Sequence, residues 1–329
     1  MFTCLKVKRR EDEEEEKEKF FIKNGGVLLE EVIALCNGRS NPIRHFSAKE
    51  LMRATNDYDA RQIFVEDVGY KLYKGFLKDR PSLVKKYNSE WSFLRRNPYT
   101  DIAIGSQMSV HKNVLKVIGC CLETELPIIV YEFAGSKILC TCISATNDEP
   151  LPRKCRLKIA IGIASAVAYL HTAFSRPVIH RDIICSNILL DQNNVPKLID
   201  FGLCISIPEG QTHVIDDLTV GRTLNLAPEY KDRGYLTEKV DVYQFGLLLI
   251  ELSSGQDIVS LCCEHNISLG IEIHIDAVHN RIRNEGIDQF QDFKTLIRKC
   301  TSFEEEDRPT MIEVAKELRR IDQSFTSPS

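Results

Sequence analysis

A chain of 329 residues, 43% apolar and 27% charged, has the composition of an ordinary globular protein with room for two lobes. Its formal net charge of −4 gives no reason to expect nucleic acid or an anionic membrane as a partner. Its 12 cysteines are scattered, with neighbours only at Cys120-Cys121 and Cys262-Cys263 and no CxxC or His/Cys ligand spacing, which excludes a zinc site and predicts reduced thiols.

Along the chain, residues 1–19 combine a basic patch with the run EDEEEEKEK, and so dense a block of charge predicts a charged, disordered tail or a fraying helix. Phe at position 2 rules out a myristoylation signal, whereas Cys4, beside Lys6, Lys8, Arg9 and Arg10, is a candidate for acylation set against a plain solvated basic start. Residues 20–58 read as a helical extension. Leu28, Leu29, Val32, Ile33 and Cys36 recur at helical spacing after Gly25-Gly26, Asn41-Pro42 breaks that element, and FSAKELMRATNDY opens a short helix with Ser47 as N-cap and Glu50 as its capping-box partner. Cys155 to His171 is a long apolar-periodic helix. The longest apolar run, Ile159 to Leu170, falls short of the ~18 residues needed to span a bilayer, so no transmembrane segment is expected and the chain reads as cytoplasmic, with peripheral attachment at the plasma membrane if Cys4 is acylated.

The most informative stretch is VIHRDIICSNILLDQNNVPKLIDFG, Val178 to Gly202. Short apolar strands flank a polar loop, and a third run stops at Asp200-Phe201-Gly202. Asp182 and Asn187 lie five apart, and the hairpin-like DQNNVPK segment returns Asp200 beside them. This layout resembles the catalytic loop and DFG segment of protein kinases. The resemblance implies an α+β, bilobal fold: a small antiparallel β-sheet N-lobe with one main helix over residues 59–133, and a larger, mainly helical C-lobe over 134–323. Residues 324–329 are expected as a disordered tail. It further implies that Asp182 orients the substrate hydroxyl, that Asn187 and Asp200 hold Mg²⁺, and that Lys85 meets the α- and β-phosphates of ATP. Lys86 takes that role if the register slips by one. Val65, Tyr131 and Phe133 are the other cofactor-binding positions, the last two in the VYEF strand that leads to the adenine hinge.

Several positions depart from the kinase pattern. Ile184 stands where Ser/Thr kinases carry a Lys that neutralises the transferred phosphoryl group. Counting back from Tyr73-Lys74-Gly75, the three glycines of the phosphate loop fall on Val65, Asp67 and Tyr70. A valine and a tyrosine block close approach of the backbone to phosphate, and a carboxylate repels it. The helix acid that pairs with the lysine falls on Ile102 by counting back from His111. Asp101 is one residue, about 100°, away and is expected to point elsewhere, leaving that ion pair unmade. In the activation segment, Arg222 and Leu224-Asn225 replace the expected Thr and Gly-Tyr before Ala227-Pro228-Glu229. Arg181 is set to hold an anionic group on that segment, either a phosphorylated residue or one of the carboxylates Asp216 and Asp217. Asp241 is expected to cap the catalytic loop from beneath, and Arg308 to pair with Glu229.

Over about residues 45 to 323 the chain is similar at finer grain to plant wall-associated and receptor-like kinases, through FSAKELMRATNDY, IGCCLETELPIIVYEF and DRPTMIEVAKEL, with KFFIKNGG just before that span. It is most similar to the small receptor-like cytoplasmic kinases and pseudokinases related to the HopZ-ETI-deficient immune pseudokinase. That resemblance implies an adaptor in innate immunity. Its partners would be a nucleotide-binding leucine-rich-repeat (NLR) immune receptor and effector-modified receptor-like cytoplasmic kinases, and ATP and Mg would bind weakly if at all. The alternative is a slow Ser/Thr kinase, since Asp182, Asn187 and Asp200 are all retained.

Overall fold

The structure is a computed structural model that describes residues 2–88, 95–135, 137–143, 151–264 and 289–324. The chain forms two compact units, one of residues 1–110, 115–133 and 201–203, the other of residues 111–114, 134–200 and 204–329.

The first unit is built on a six-stranded sheet. A long helix, α1 (Phe2–Cys36), comes first and ends where Gly38, at φ +71°, donates its N–H to the Val32 carbonyl. Of the two expectations for the charged start, a disordered tail or a fraying helix, residues 2–19 take the helical form, continuous with the extension. The helix is anchored from its second half. Buried Asn24 donates to the carbonyls of Leu122 (3.0 Å) and Thr124 (2.7 Å), and Glu31 accepts from Asn97 (2.8 Å). Once that half is fixed, each further turn adds a hydrogen bond without a new nucleation cost, so the charged half can follow it. Lys19 pairs with Glu15 one turn away. The side chain of Cys4 lies outside the described residues.

Strand β1 (Arg44–His45) is followed by α2 (Ala48–Ala54), which carries the capping box expected at Ser47 and Glu50. Strands β2 (Ile63–Glu66), β3 (Tyr70–Leu77) and β4 (Arg80–Tyr87), helix α3 (Pro98–Met108), and strands β5 (Val117–Cys121) and β6 (Ile128–Glu132) complete the unit. The sheet order is β1-β5-β6-β4-β3-β2. It is antiparallel, as expected, except that β1 joins β5 in parallel, with Arg44 opposite Gly119. A core of Phe46, Leu51, Tyr73, Val84, Ile128 and Val130 binds α2 to the sheet.

The second unit is mainly helical. It begins with β7 (Lys137–Ile138) and α4 (Leu139–Ile143), then α5 (Arg153–Thr172), whose buried Ile159, Ile163, Val167 and Leu170 repeat at helical spacing. Strand β8 (Val178–Ile179) is followed by the hairpin of β9 (Ile188–Leu190) and β10 (Pro196–Leu198). Beyond it, β11 (Ile205–Ser206) pairs with β8. Strand β12 (Val214–Ile215) pairs with β13 (Tyr235–Leu236), and α6 (Pro228–Arg233) lies between them in sequence. Helix α7 (Lys239–Ser254) is apolar almost all round and buried; α8 (Ile258–Glu264), α9 (Gln289–Cys300) and α10 (Met311–Ser324) follow. Ser324, expected in the tail, is the last residue of α10, and residues 325–329 lie outside the described residues. Among the described residues no helix is long and apolar enough to cross a membrane.

Candidate active-site residues

In the first unit, the segment expected to cradle phosphate is a tight hairpin between β2 and β3. Asp67 donates its N–H to the Tyr70 carbonyl (3.0 Å), and the Asp67 carboxylate accepts the N–H of Val68 (2.7 Å). Asn88 closes the turn from the side, donating to the carbonyls of Gly69 (3.1 Å) and Val68 (2.6 Å). Two backbone donors of the turn, the N–H groups of Asp67 and Val68, are thus already bonded within it. Val65 is buried in β2 opposite Leu72. Tyr70 is fully buried, with its ring 4.0 Å from the Lys85 ammonium, and the Asp67 carboxylate lies 3.4 Å from buried Arg96. Ring and carboxylate together occupy the cationic neighbourhood that a triphosphate would use.

Of the two lysines, Lys85 points inward and is 1% exposed, whereas Lys86 lies outside over the Tyr58 ring at 4.1 Å. The structure corrects the expectation for the helix acid. Lys85 Nζ lies 2.6 Å from the Asp101 carboxylate, and Ile102 is the neighbour turned into the apolar core. Asp101 is a hub. Its carboxylate also accepts the Tyr87 hydroxyl at 2.6 Å and the Phe201 N–H at 3.0 Å, with the Tyr131 hydroxyl 3.5 Å away. Burial pushes its carboxyl up, yet the Lys85 charge and these hydrogen bonds bring it below the ordinary aspartate range, so the pair is ionised. Burial lowers Lys85 to about 8 against the pull of Asp101. Tyr131 is therefore committed to this cluster through its side chain, and its backbone lies in β6 between β5 and β4; Phe133, just beyond β6, is exposed.

Gly105, one turn on from Asp101, faces Val117 and Phe201, and a Cβ there would sit 3.2 Å from Val117 Cγ2. The missing side chain lets α3 lie close to β5. Nothing in a linear count fixes the rotation of α3; the one signal available was the Asn97-Pro98 start, since Asn97 caps the helix with Pro at N1.

In the second unit, Asp182 and Asn187 meet as expected. Asn187 Nδ2 donates to the Asp182 carboxylate (2.8 Å) and to its carbonyl (3.0 Å). The β9–β10 hairpin pairs Leu198 with Ile188, and the Ile199 N–H reaches the Asn187 carbonyl at 3.0 Å, which returns Asp200 to the loop. Asp200 is buried at φ +67° and Arg181 at φ +68°. These are left-handed conformations that non-glycine residues adopt only when the surroundings enforce them. For Arg181 the enforcement comes from α7. Asp241 accepts the N–H groups of His180 (2.8 Å) and Arg181 (2.9 Å) and contacts His171 at 2.8 Å. Gln244, which the sequence reading missed, receives the Ile183 N–H (3.0 Å) and donates to the Arg181 carbonyl (2.8 Å). Its signal was a polar residue three after Asp241 in an apolar helix. Ile184, at the place of the missing lysine, is buried.

The activation segment is held from several sides. Arg181 pairs with Asp216 at 2.9 Å, while Asp217 is exposed. The Asp216 N–H donates to the Gly234 carbonyl (2.8 Å), and Val220 donates to the Tyr230 hydroxyl (2.8 Å). Gly234, at φ +64°, has no room for a Cβ against the Asp216 carbonyl. Arg308 grips Glu229 through both nitrogens at 2.7 and 2.8 Å, as expected.

Comparison with known proteins follows this geometry. Residues 71–318 match the family described as protein tyrosine and serine/threonine kinase. The chain is 39% identical over 322 residues to the Non-functional pseudokinase ZED1 of Arabidopsis thaliana, covering 92% of this chain and 96% of that protein. It is 34% identical over 328 residues to the Serine/threonine-protein kinase ZRK1 of the same plant, covering 94% and 93%. To its Wall-associated receptor kinase-like 4 it is 34% identical over 315 residues, 92% of this chain but 41% of that protein. With a curled sheet, a helical lobe and a family match over most of its length, the chain belongs to the protein kinase family and groups there with the plant ZED1- and ZRK-type kinases and pseudokinases.

Proposed function

We propose that this chain is a protein-kinase-fold adaptor of plant innate immunity with weak or absent phosphotransfer. One observation carries the reading: the phosphate hairpin is closed on itself, with Tyr70 over Lys85 and Asp67 beside Arg96. These residues do not fit a nucleotide triphosphate, since a carboxylate and a ring stand where phosphate oxygens would meet cations. The likeness to a non-functional pseudokinase over nearly the whole of both chains supports it. In this reading the chain works in the cytoplasm and binds an NLR immune receptor on one side and effector-modified receptor-like cytoplasmic kinases on the other. The outward stripe of α1, with Ile22, Leu29 and Ile33 exposed at helical spacing, serves the constitutive contact, while the opposite face is anchored through Asn24 and Glu31.

The second reading, a Ser/Thr kinase, draws on the formed Lys85–Asp101 pair and on Asp182, Asn187 and Asp200. Calorimetric titration with Mg-ATP and a phosphotransfer assay separate the two. The adaptor reading expects a dissociation constant of about 100 μM or weaker and no change in background phosphotransfer on Asp182→Asn. Low-micromolar binding, with turnover near ~1 s⁻¹ that Asp182→Asn abolishes, would make it a kinase. Co-purification from plant cytosol tests the partners: recovery of an NLR receptor with wild type and its loss with Ile22→Asp and Leu29→Asp supports the adaptor, and retention by that double variant removes α1 as the docking face.

A further inference from the structure

We propose that the outward stripe of α1 closes on the same stripe of a second copy of this chain, as an antiparallel helix pair whose twofold axis passes between Gly26 and Leu29. The exposed positions Ile22, Gly26, Leu29 and Ile33 follow one another at steps of four, three and four residues, the spacing of a coiled-coil seam. The opposite face of the helix is already taken, since Asn24 and Glu31 bind it to the rest of the unit. The seam also has defined ends. Before Ile22 its next position is Lys19, paired with Glu15, and after Ile33 it is Cys36, buried where the helix stops.

Shape and charge both select a second copy, and one direction for it. In the antiparallel register Ile22 meets Ile33 of the second copy, and Gly26 meets its Leu29. A Cβ built on Gly26 finds nothing within 4 Å, so the bare backbone there leaves a hollow that the leucine fills. Each contact occurs twice, as an isologous interface requires. The reversal also brings like flank against like flank. Lys23 and Glu30 are exposed and each stands one residue after a seam position, so Lys23 of either copy faces Glu30 of the other. A parallel pair is excluded by the acidic run over residues 12–18, which is exposed and would lie along its own copy, with Glu15 against Glu15. In the antiparallel pair the two runs are at opposite ends. Each passes the end of the other copy's helix, where Arg39 is exposed. The pair forms in the absence of a receptor; a receptor that uses this stripe has to displace the second copy. So short a seam makes a weak interface, with a dissociation constant of roughly 10–100 μM.

The test is sedimentation velocity on the full purified chain, from about 2 to about 300 μM. Wild type should pass from one to two copies per particle across this range. Gly26→Glu has open space for its side chain and a better helix former than glycine, so it should fold as wild type does and stay monomeric throughout. Lys23→Glu should weaken association about tenfold or more, and Lys23→Glu combined with Glu30→Lys should restore it. That rescue is specific to the antiparallel register, because in a parallel pair Lys23 would face Glu18 and the second change would not help. Circular dichroism checks that each variant is folded, and the wild-type series decides the matter even if one is not. A wild type that is monomeric at every concentration, a dimer retained by Gly26→Glu, or a double variant that associates no better than Lys23→Glu would overturn the proposal. No receptor is present in these measurements, so their failure is separate from that of the receptor contact, which co-purification reads.

Discussion

Asp101 and Lys85 place two charges 2.6 Å apart with almost no exposure. Replacing one member of such a pair leaves the other charge buried and uncompensated. Asp101→Asn is therefore expected to cost about 3 kcal/mol or more of stability, read from the urea midpoint. The lysine was legible in the sequence, since an apolar strand around SLVKKY leaves few inward positions. Its partner was not, because one residue of helix rotation decides which side chain faces the sheet. A second residue sets a pH dependence. Burial raises Glu251 from near 4.5 to about 7, so between these values the folded chain keeps a proton that the unfolded chain has released. Stability accordingly falls as pH rises through that window, by about 3 kcal/mol in all. Melting curves from pH 4.5 to 7.5 should show this slope in wild type and lose it in Glu251→Gln; equal slopes would mean that Glu251 is not the group responsible.

Among the elements, the capping box at Ser47 and the periodicity of α5 were readable because each is a local code with a local answer. The continuity of α1 was not, because the force that orders it is the docking of Asn24 and Glu31 on residues nearly seventy or more positions away. The joint between the N-terminal extension and the sheet is β1 against β5. It depends on Gly119, where an added Cβ would fall 2.1 Å from the Arg44 carbonyl and 2.4 Å from the Phe46 ring. Backbone cannot yield as a flexible side chain can, so Gly119→Ala should cost about 3 kcal/mol and raise hydrogen exchange across residues 44–54 before the rest of the unit. The activation segment behaves in the opposite way. With Asp216 on Arg181 and β12 on β13, the amides of Asp216 and Val220 should be protected from exchange in the isolated chain, and Asp216→Ala should release them. Fast exchange at these amides in wild type would contradict a pre-ordered segment.

For the molecule as a whole, stability should be nearly independent of nucleotide. With a dissociation constant of about 100 μM or weaker, 1 mM Mg-ATP can add at most about 1.4 kcal/mol, and a thermal melt should show little or no shift. Asp67→Gly combined with Tyr70→Gly uncovers Lys85 and removes the competing carboxylate; it should tighten Mg-ATP binding by about tenfold or more. No change would place the obstacle outside the hairpin. The order of HRD, DFG and APE-type motifs made the kinase fold legible from sequence, and the missing glycines made the phosphate loop suspect. What replaced them was hidden, because Arg96 meets Asp67 across 29 residues and only the folded sheet brings Tyr70 over Lys85.

The pairing of Arg181 with Asp216 has a further consequence for how the chain can be controlled. Where that arginine is held by a phosphoryl group, the contact is written by one enzyme and erased by another, and its occupancy follows the balance between them. A carboxylate is written once, in the gene. No phosphatase removes it, and no upstream kinase is needed to install it. This contact is therefore constant from the moment of folding.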